Sequence, residues 1–342
     1  MALDVDRPSG PDFRQDQVPI DLTLGNVWYR PAQGQLSISN GSQYGGWIED
    51  SGIAGYIGGM YTTGGPTNTV HRLYFFTESV TTLASVLTPS NYTATGVASL
   101  VNGYILGGAP VSTLIERLVF ADESVSTIST AMLRAAYAGI GGINSATVGY
   151  DPLGYVGGQS TLVDKLTFAT EAMASVTSGL SVARYYFRTC DDAATKGYAS
   201  GGWTGAATST RTDRLTFSNE NIASIASSLT TARYVPLGGV SSSVNGYIGG
   251  GNPTGGYAGN VTTIDRIVFA TEIDSQITSG FGAALSGGGS PQSKKSGYFC
   301  GGITTASGYV SSIYRLTFTT ESTSLMGSTL MYIGCVAGDF EH

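Results

Sequence analysis

Apolar and polar positions along this chain alternate in short runs, and the runs return in the same order six times. The clearest copy is Asn245–Glu272, NGYIGGGNPTGGYAGNVTTIDRIVFATE: an apolar strand ending in glycines, a loop of small residues, then a second strand closing on a glutamate. The first strand reads GYIGG from Gly55, GYILGG from Gly103, GYVGG from Gly154, GYASGG from Gly197, GYIGGG from Gly246 and GYFCGG from Gly297, at spacings of 48, 51, 43, 49 and 51 residues. The second reads HRLYF, ERLVF, DKLTF, DRLTF, DRIVF and YRLTF, beginning at His71, Glu116, Asp164, Asp213, Asp265 and Tyr314. Three residues beyond each phenylalanine stands Glu78, Glu123, Glu171, Glu220, Glu272 or Glu321. A period near fifty is the length of one four-stranded sheet repeat, so the repeat decides the fold.

In the fourth copy the strands are b, GYASGG; c, TDRLTF; d, through Ile222–Ile225; and the next a, Leu237–Val240. The double glycine after strand b permits positive φ and close backbone approach. The tyrosine before it supplies a ring to bury and a hydroxyl to satisfy, which suits a gap between neighbouring sheets. In strand c, alternation puts Leu215 and Phe217 on one face and Arg214 and Thr216 on the other, so both faces of a sheet can be packed. The expected fold is all-β: a six-bladed β-propeller over residues 51–342, preceded by a small arm and β-hairpin module over 1–50. Two segments could complete blade 1, Gln43–Trp47 and Tyr332–Gly338; the second copies the strand-a pattern and is preferred, with a fragmentary seventh blade as the alternative.

Composition narrows the classes. Forty-nine glycines with many Ser, Thr, Val, Ile and Tyr residues suit short strands and tight turns. Only 12% of residues are charged, yet 41% are hydrophobic and twenty are tyrosine, which argues against disorder. A formal charge of −7 without a basic stripe argues against nucleic acid. Three scattered cysteines imply no disulfide framework. The first residues lack a secretory pattern and no run reaches the length that spans a bilayer, so synthesis in a cytoplasm without membrane insertion is expected.

The repeats resemble those of the kelch-type β-propeller family over about residues 53–337. Thr230–Gly250, TTARYVPLGGVSSSVNGYIGG, carries that family's arginine before strand a and its double glycine after strand b. The tyrosine and tryptophan that close typical kelch repeats are replaced here by Phe-x-x-Glu, so the blades must be packed differently. Repeats of this altered kind look like those of structural proteins of marine and cyanobacterial phages. Leu24–Trp47 also resembles a short module of phage tail-fibre and baseplate proteins, matched at Gly25, Trp28, Tyr29, Gly34, Leu36, Asn40, Gly41 and Trp47. The resemblance implies a virion structural protein, a tail fibre, adhesin or decoration protein, bound to other virion proteins through its N-terminal arm and displaying a propeller toward a host-surface glycan. Self-association into a homo-oligomer is left open. The alternative is a cellular lectin-like or protein-binding propeller.

Chemistry is sparse. The kelch family includes a copper oxidase, but imidazole donors are needed for such a site and the chain has only His71 and His342. Six equivalent glutamates on six blades would lie around a ring, whereas catalytic carboxylates converge on one bond. Each is expected to cap backbone donors in its turn or to pair with the repeated base at Arg72, Arg117, Lys165, Arg214, Arg266 or Arg315. No helical pattern follows the glycines, which excludes a phosphate-cradling loop. No enzyme, cofactor or metal site is expected. The candidate ligand-binding residues are Tyr61, Trp203, Tyr257 and Tyr309, flat aromatics placed in b–c loops of small polar residues and suited to stacking on sugar rings. Arg134, Arg184 and Arg233 in the d–a segments either face the same surface or bond the loop backbone.

Overall fold

The structure, a computed structural model, describes residues 54–330 except 138, 140, 256–258 and 307, together with the strand backbones Val27–Arg30, Gln35–Ser39, Tyr44–Ile48 and Cys335–Glu341. The chain divides into two units, Met1–Ser51 and Gly52–His342. In the first, Val27–Arg30, Gln35–Ser39 and Tyr44–Ile48 pair in sequential order as an antiparallel sheet. The segment around Gln43–Trp47 is therefore taken up there.

The second unit is a six-bladed β-propeller, built of strands and turns throughout its described residues. Blade 4 shows the plan, with strand a at Arg188–Asp191, b at Lys196–Ser200, c at Thr212–Thr216 and d at Asn221–Ser224, each antiparallel to the next. Blades 2, 3 and 5 repeat it over residues 95–127, 143–175 and 238–276. Blade 6 pairs Ser296–Cys300, Ser312–Thr317 and Ser322–Thr329, and the segment around Gly289 and Gln292 bridges to its strand b. Blade 1 draws on both ends of the unit: Cys335–Glu341 supplies strand a beside Ala54–Thr62, Gly65–Tyr74 and Ser79–Asn91.

One repeat assigned from sequence is displaced. Strand b of blade 3 is Val148–Pro152, not the GYVGG that begins at Gly154. The Gly-Tyr pair that packs between blades is Gly149-Tyr150, and the later Gly-Tyr belongs to the loop that follows. Two copies of the same dipeptide five residues apart made the choice ambiguous, and only the packing partner separates them.

The packing explains why the dipeptide recurs. Adjacent residues of a strand point to opposite faces. A Cβ on Gly197 would lie 2.1 Å from Ile143 in the inner strand of blade 3, and one on Gly246 would lie 2.3 Å from Cys190 in blade 4. Each glycine thus seats the preceding blade, and each tyrosine reaches the following one. Tyr198 stacks on Phe269 of blade 5 at 5.5 Å, and the same contact joins Tyr56 to Phe120, Tyr104 to Phe168, Tyr150 to Phe217, Tyr247 to Phe318 and Tyr298 to Phe75. Stacked pairs of this kind contribute about 0.5–1.5 kcal/mol beyond the area they bury.

The recurrent glutamate sits over the same seam. Its base comes from the preceding blade rather than its own: Arg117 pairs with Glu171 at 2.9 Å, Lys165 with Glu220 at 2.5 Å, Arg214 with Glu272 at 2.9 Å and Arg266 with Glu321 at 2.9 Å. Arg72 pairs with Glu123, and Arg315 of blade 6 with Glu78 of blade 1 at 2.5 Å. The tyrosine of the preceding blade donates its hydroxyl to the same carboxylate, as Tyr198 does to Glu272 at 3.2 Å and Tyr247 to Glu321 at 3.1 Å. Burial, reinforced by Glu220, pushes the Tyr150 phenol up to about 12. All six glutamates adopt positive φ, between 49° and 58°. Glycine would adopt that conformation at lower cost, but it would bring no carboxylate to the seam.

The hydrophobic core follows the same division. Each of six clusters is shared by two neighbouring blades, from Tyr56, Leu118 and Phe120 between blades 1 and 2 to Ile57, Leu73, Tyr298 and Ile313 between blades 6 and 1. Phe269→Ala should therefore lower the unfolding free energy in urea by about 3–5 kcal/mol. Glu272→Gln, at a carboxylate 19% exposed and partnered by bases 29% exposed, should cost about 1 kcal/mol. A larger loss from Glu272→Gln than from Phe269→Ala would show that the ion pairs, rather than the buried rings, hold the seam.

Candidate functional site

The b–c loops and the d–a segments meet on one face of the ring. Antiparallel bridges join them at Tyr92 and Ala109, Tyr137 and Tyr155, Tyr185 and Trp203, and Tyr234 and Asn252. Beneath this face the d–a arginines are anchored rather than displayed. Arg184 and Arg233 are fully buried; Arg184 pairs with Asp213 at 2.6 Å and donates to the Ala199 carbonyl, while Arg233 pairs with Asp265 at 2.9 Å and donates to the carbonyls of Gly250 and Thr263. Arg134, partly exposed, pairs with Asp164 at 2.7 Å. These arginines tie each d–a segment to strand c of the blade it enters, so the reading in which they bond structure is the correct one. Blade 2 substitutes Asn91 for the arginine and Glu116 for the aspartate, and Asn91 still donates to the Gly107 carbonyl. Without the cation, burial pushes the Glu116 carboxyl up to about 7.

Above these anchors the aromatic side chains form a belt. Tyr309 lies 6.1 Å from Tyr61, and Tyr61 lies 4.7 Å from Tyr92. Tyr137 lies 5.0 Å from Tyr155, which meets Tyr185 edge-on at 5.7 Å. Tyr185 and Tyr186 both contact Tyr234, and Trp203 completes the run against Tyr234 at 5.8 Å. Burial, with Tyr155, Tyr185 and Tyr92 nearby, raises the phenol of Tyr137. Each of these rings is half-buried. The residues after three of the tyrosines, Thr93, Tyr186 and Val235, stand at φ of 51°, 56° and 48°. Positive φ is costly for a β-branched or bulky residue, and such strain gathers where the surrounding structure dictates a particular surface.

A solved structure of YjhT has the same fold, with a TM-score of 0.62 at 11% identity over 76% of this chain and 91% of that chain. At this identity the likeness concerns the fold alone. No protein-family model matches the chain, and no curated protein matches it.

On the ring axis the inner strands enclose a polar cavity of about 50 Å³, lined by Asn144, Arg188, Thr189, Asp191, Ser241 and Gln292 among others. Side chains here replace the hydrogen bonds that the inner strands cannot make with one another. The amide of Ala98 donates to the Asn144 carboxamide, that of Asn144 to Asp191, that of Asp191 to Ser241 and that of Ser241 to Gln292, one blade at each step. Each inner-strand amide thus meets a side-chain acceptor instead of remaining unpaired, which would cost about 1–3 kcal/mol. Burial pushes Asp191 up to about 7 and drives the neighbouring Cys190 thiol well above its ordinary value. Asp151 is likewise raised to about 7 by burial and accepts from Thr95 at 2.7 Å. His71 is buried and pushed down to about 4. Among the described residues no group of three or more His, Cys, Asp or Glu side chains is placed to hold a metal.

Of the four aromatic candidates, Tyr61, Trp203 and Tyr309 all lie in the belt, and Tyr257 falls outside the described residues. Tyr61 stands not in a loop but in strand b of blade 1, paired with Cys335 and Pro66, because that blade turns at residues 63–64 without a long b–c loop. The sequence reading missed Tyr92, Tyr137, Tyr155, Tyr185, Tyr186 and Tyr234. Four of them, Tyr92, Tyr137, Tyr185 and Tyr234, recur at the same place ahead of strand a, a repeat that was there to be noticed.

The buried carboxyls set a pH dependence. Glu116, Asp151 and Asp191 titrate near 7 in the folded chain and near 4 when unfolded, so the folded state holds more protons between those values. Their contribution to stability is complete below about pH 4 and is lost as pH rises through about 7. The urea midpoint should therefore fall between about pH 4 and 7, and Asp191→Asn, which keeps an acceptor for Asn144, should flatten that fall. An Asp191→Asn profile parallel to the parent's would remove Asp191 as a contributor.

Proposed function

We propose that this chain is a non-enzymatic phage virion protein, held in the particle through residues 1–50 and presenting the propeller face that carries the aromatic belt to a host-surface glycan. The observation that carries the recognition part is the run of half-buried rings on one face, with Tyr185 and Tyr234 directly following the buried anchors Arg184 and Arg233 and with strained backbone at Thr93, Tyr186 and Val235. Rigid aromatic surface loses little conformational entropy on binding, and a ring with a polar hydroxyl suits ligands that are part apolar and part wet. The absence of catalysis is supported by the use of the recurrent charges: the glutamates are engaged with bases and tyrosines across the seams, and the aspartates of strand c with arginines. The virion role rests on the resemblance of Leu24–Trp47 and of the repeats to phage structural proteins.

A cellular lectin-like propeller would share the recognition face and differ in the purpose of its first fifty residues. The two separate on truncation. Removal of residues 1–50 should leave a propeller that melts cooperatively within a few degrees of the parent and no longer co-purifies with particles. Particles that incorporate the truncated chain as well as the full one would count against a virion role for that segment.

A further inference from the structure

Charge is distributed unevenly over the propeller. The b–c connections at residues 63–64, 107–114, 153–162, 201–211, 250–263 and 301–311 contain no Asp, Glu, Lys or His, and one arginine, Arg211. The recurrent glutamates stand in the c–d turns, and Asp192, Lys196, Lys294 and Lys295 lie in or beside the a–b turns, both at the opposite ends of the strands. The charged side chains nearest the belt are engaged: Arg184 and Arg233 are buried against aspartates, Arg134 is paired with Asp164, and Arg211 donates to Ser181 and Ser224. In their place the loops offer threonine and serine hydroxyls, backbone groups and the phenols of the belt.

We propose that this face takes a neutral glycan, an uncharged pyranose chain rather than a sialylated, uronate-bearing or sulfated one; the inference rests on the glycan reading above. An anionic sugar must exchange its hydration for a cation or for charge-assisted donors, and carboxylate recognition normally relies on arginine. No lysine or arginine is part of the belt itself, the one arginine of these connections, Arg211, bonds Ser181 and Ser224, and an aromatic ring carries the negative end of its quadrupole on its face. That face repels a carboxylate and attracts the weakly positive axial C–H hydrogens of a pyranose. The geometry suits a chain rather than a single residue. Ring centroids follow one another at 4.7–6.4 Å within each of the two groups, Tyr309–Tyr61–Tyr92 and Tyr137 through Trp203, so consecutive sugars can each find a platform.

The test is an array of neutral and acidic glycans probed with the full chain at low and high salt. Neutral hexose chains should bind, with affinity changing less than about twofold between 0.05 and 0.5 M salt, since no ion pair is there to be screened. Trp203→Ala and Tyr61→Ala should each weaken binding about tenfold with the melting temperature held within a few degrees. Tyr185→Phe, which keeps the ring and removes the hydroxyl, should retain more of the affinity than Tyr185→Ala. Binding confined to acidic glycans and abolished by salt would overturn the neutral assignment and leave glycan recognition standing. Failure to bind any glycan, by a chain that melts cooperatively, would overturn both. Binding of neutral glycans unaffected by all three alanine variants would move the site off the belt and overturn the proposal.

Discussion

The structure depends on one joint made six times. A tyrosine of one blade stacks on a phenylalanine of the next, and its hydroxyl and the base beside it meet a glutamate of that same next blade. No blade of this propeller can bury its own faces, because a four-stranded sheet has apolar residues on both. The joint resolves this by making each blade half of two cores. The rings provide most of the burial, while the ionic contact, partly open to water, contributes less energy and more geometry. A glutamate held at positive φ fits this view, since local backbone preference yields there to a contact with the neighbouring blade.

A joint that always reaches forward by one blade must eventually return to its starting point. Phe75 and Glu78 of blade 1 receive Tyr298 and Arg315 of blade 6, and the Cys335–Glu341 strand completes blade 1. The two devices act at different radii, side chains over the outer strands and backbone pairing at the axis. Along the axis itself, where neighbouring inner strands diverge too far to form a ladder, polar side chains of Asn144, Asp191, Ser241 and Gln292 span the gap. The raised Asp191 carboxyl is a consequence, since an acceptor enclosed by backbone is held with little water.

The same arrangement shapes the surface. With charge committed to the seams, the buried anchors and the a–b and c–d turns, the loop face is left aromatic, with Arg211 its one charged loop residue. Its rings are held from below by the Arg184–Asp213 and Arg233–Asp265 pairs, which cross-link each d–a segment to the blade it enters. Breaking such a pair strands a buried charge, so the platform is costly to deform. A surface that combines stiffness with sparse charge favours ligands recognised by shape and stacking over those recognised by charge.

Much of this was legible in the linear chain. The period near fifty, the Gly-Tyr dipeptide and the Arg-Leu-x-Phe-x-x-Glu run determined six four-stranded blades, because local patterning that repeats in register has few ways to pack. What stayed hidden was relational. Whether Gly149-Tyr150 or Gly154-Tyr155 served as strand b depended on which tyrosine found Phe217, a residue more than sixty positions away. The partner of each glutamate lay in the preceding blade, as far off in sequence as it was near in space. The belt was scattered in the same way, its rings drawn from strands, loops and lead-in segments of all six blades. Alternation and turn chemistry are properties of neighbours along the chain, so the sequence by itself determined the repeating unit. Which side chains share a seam, and which share a surface, depended on closing the ring, and only the tertiary structure decided them.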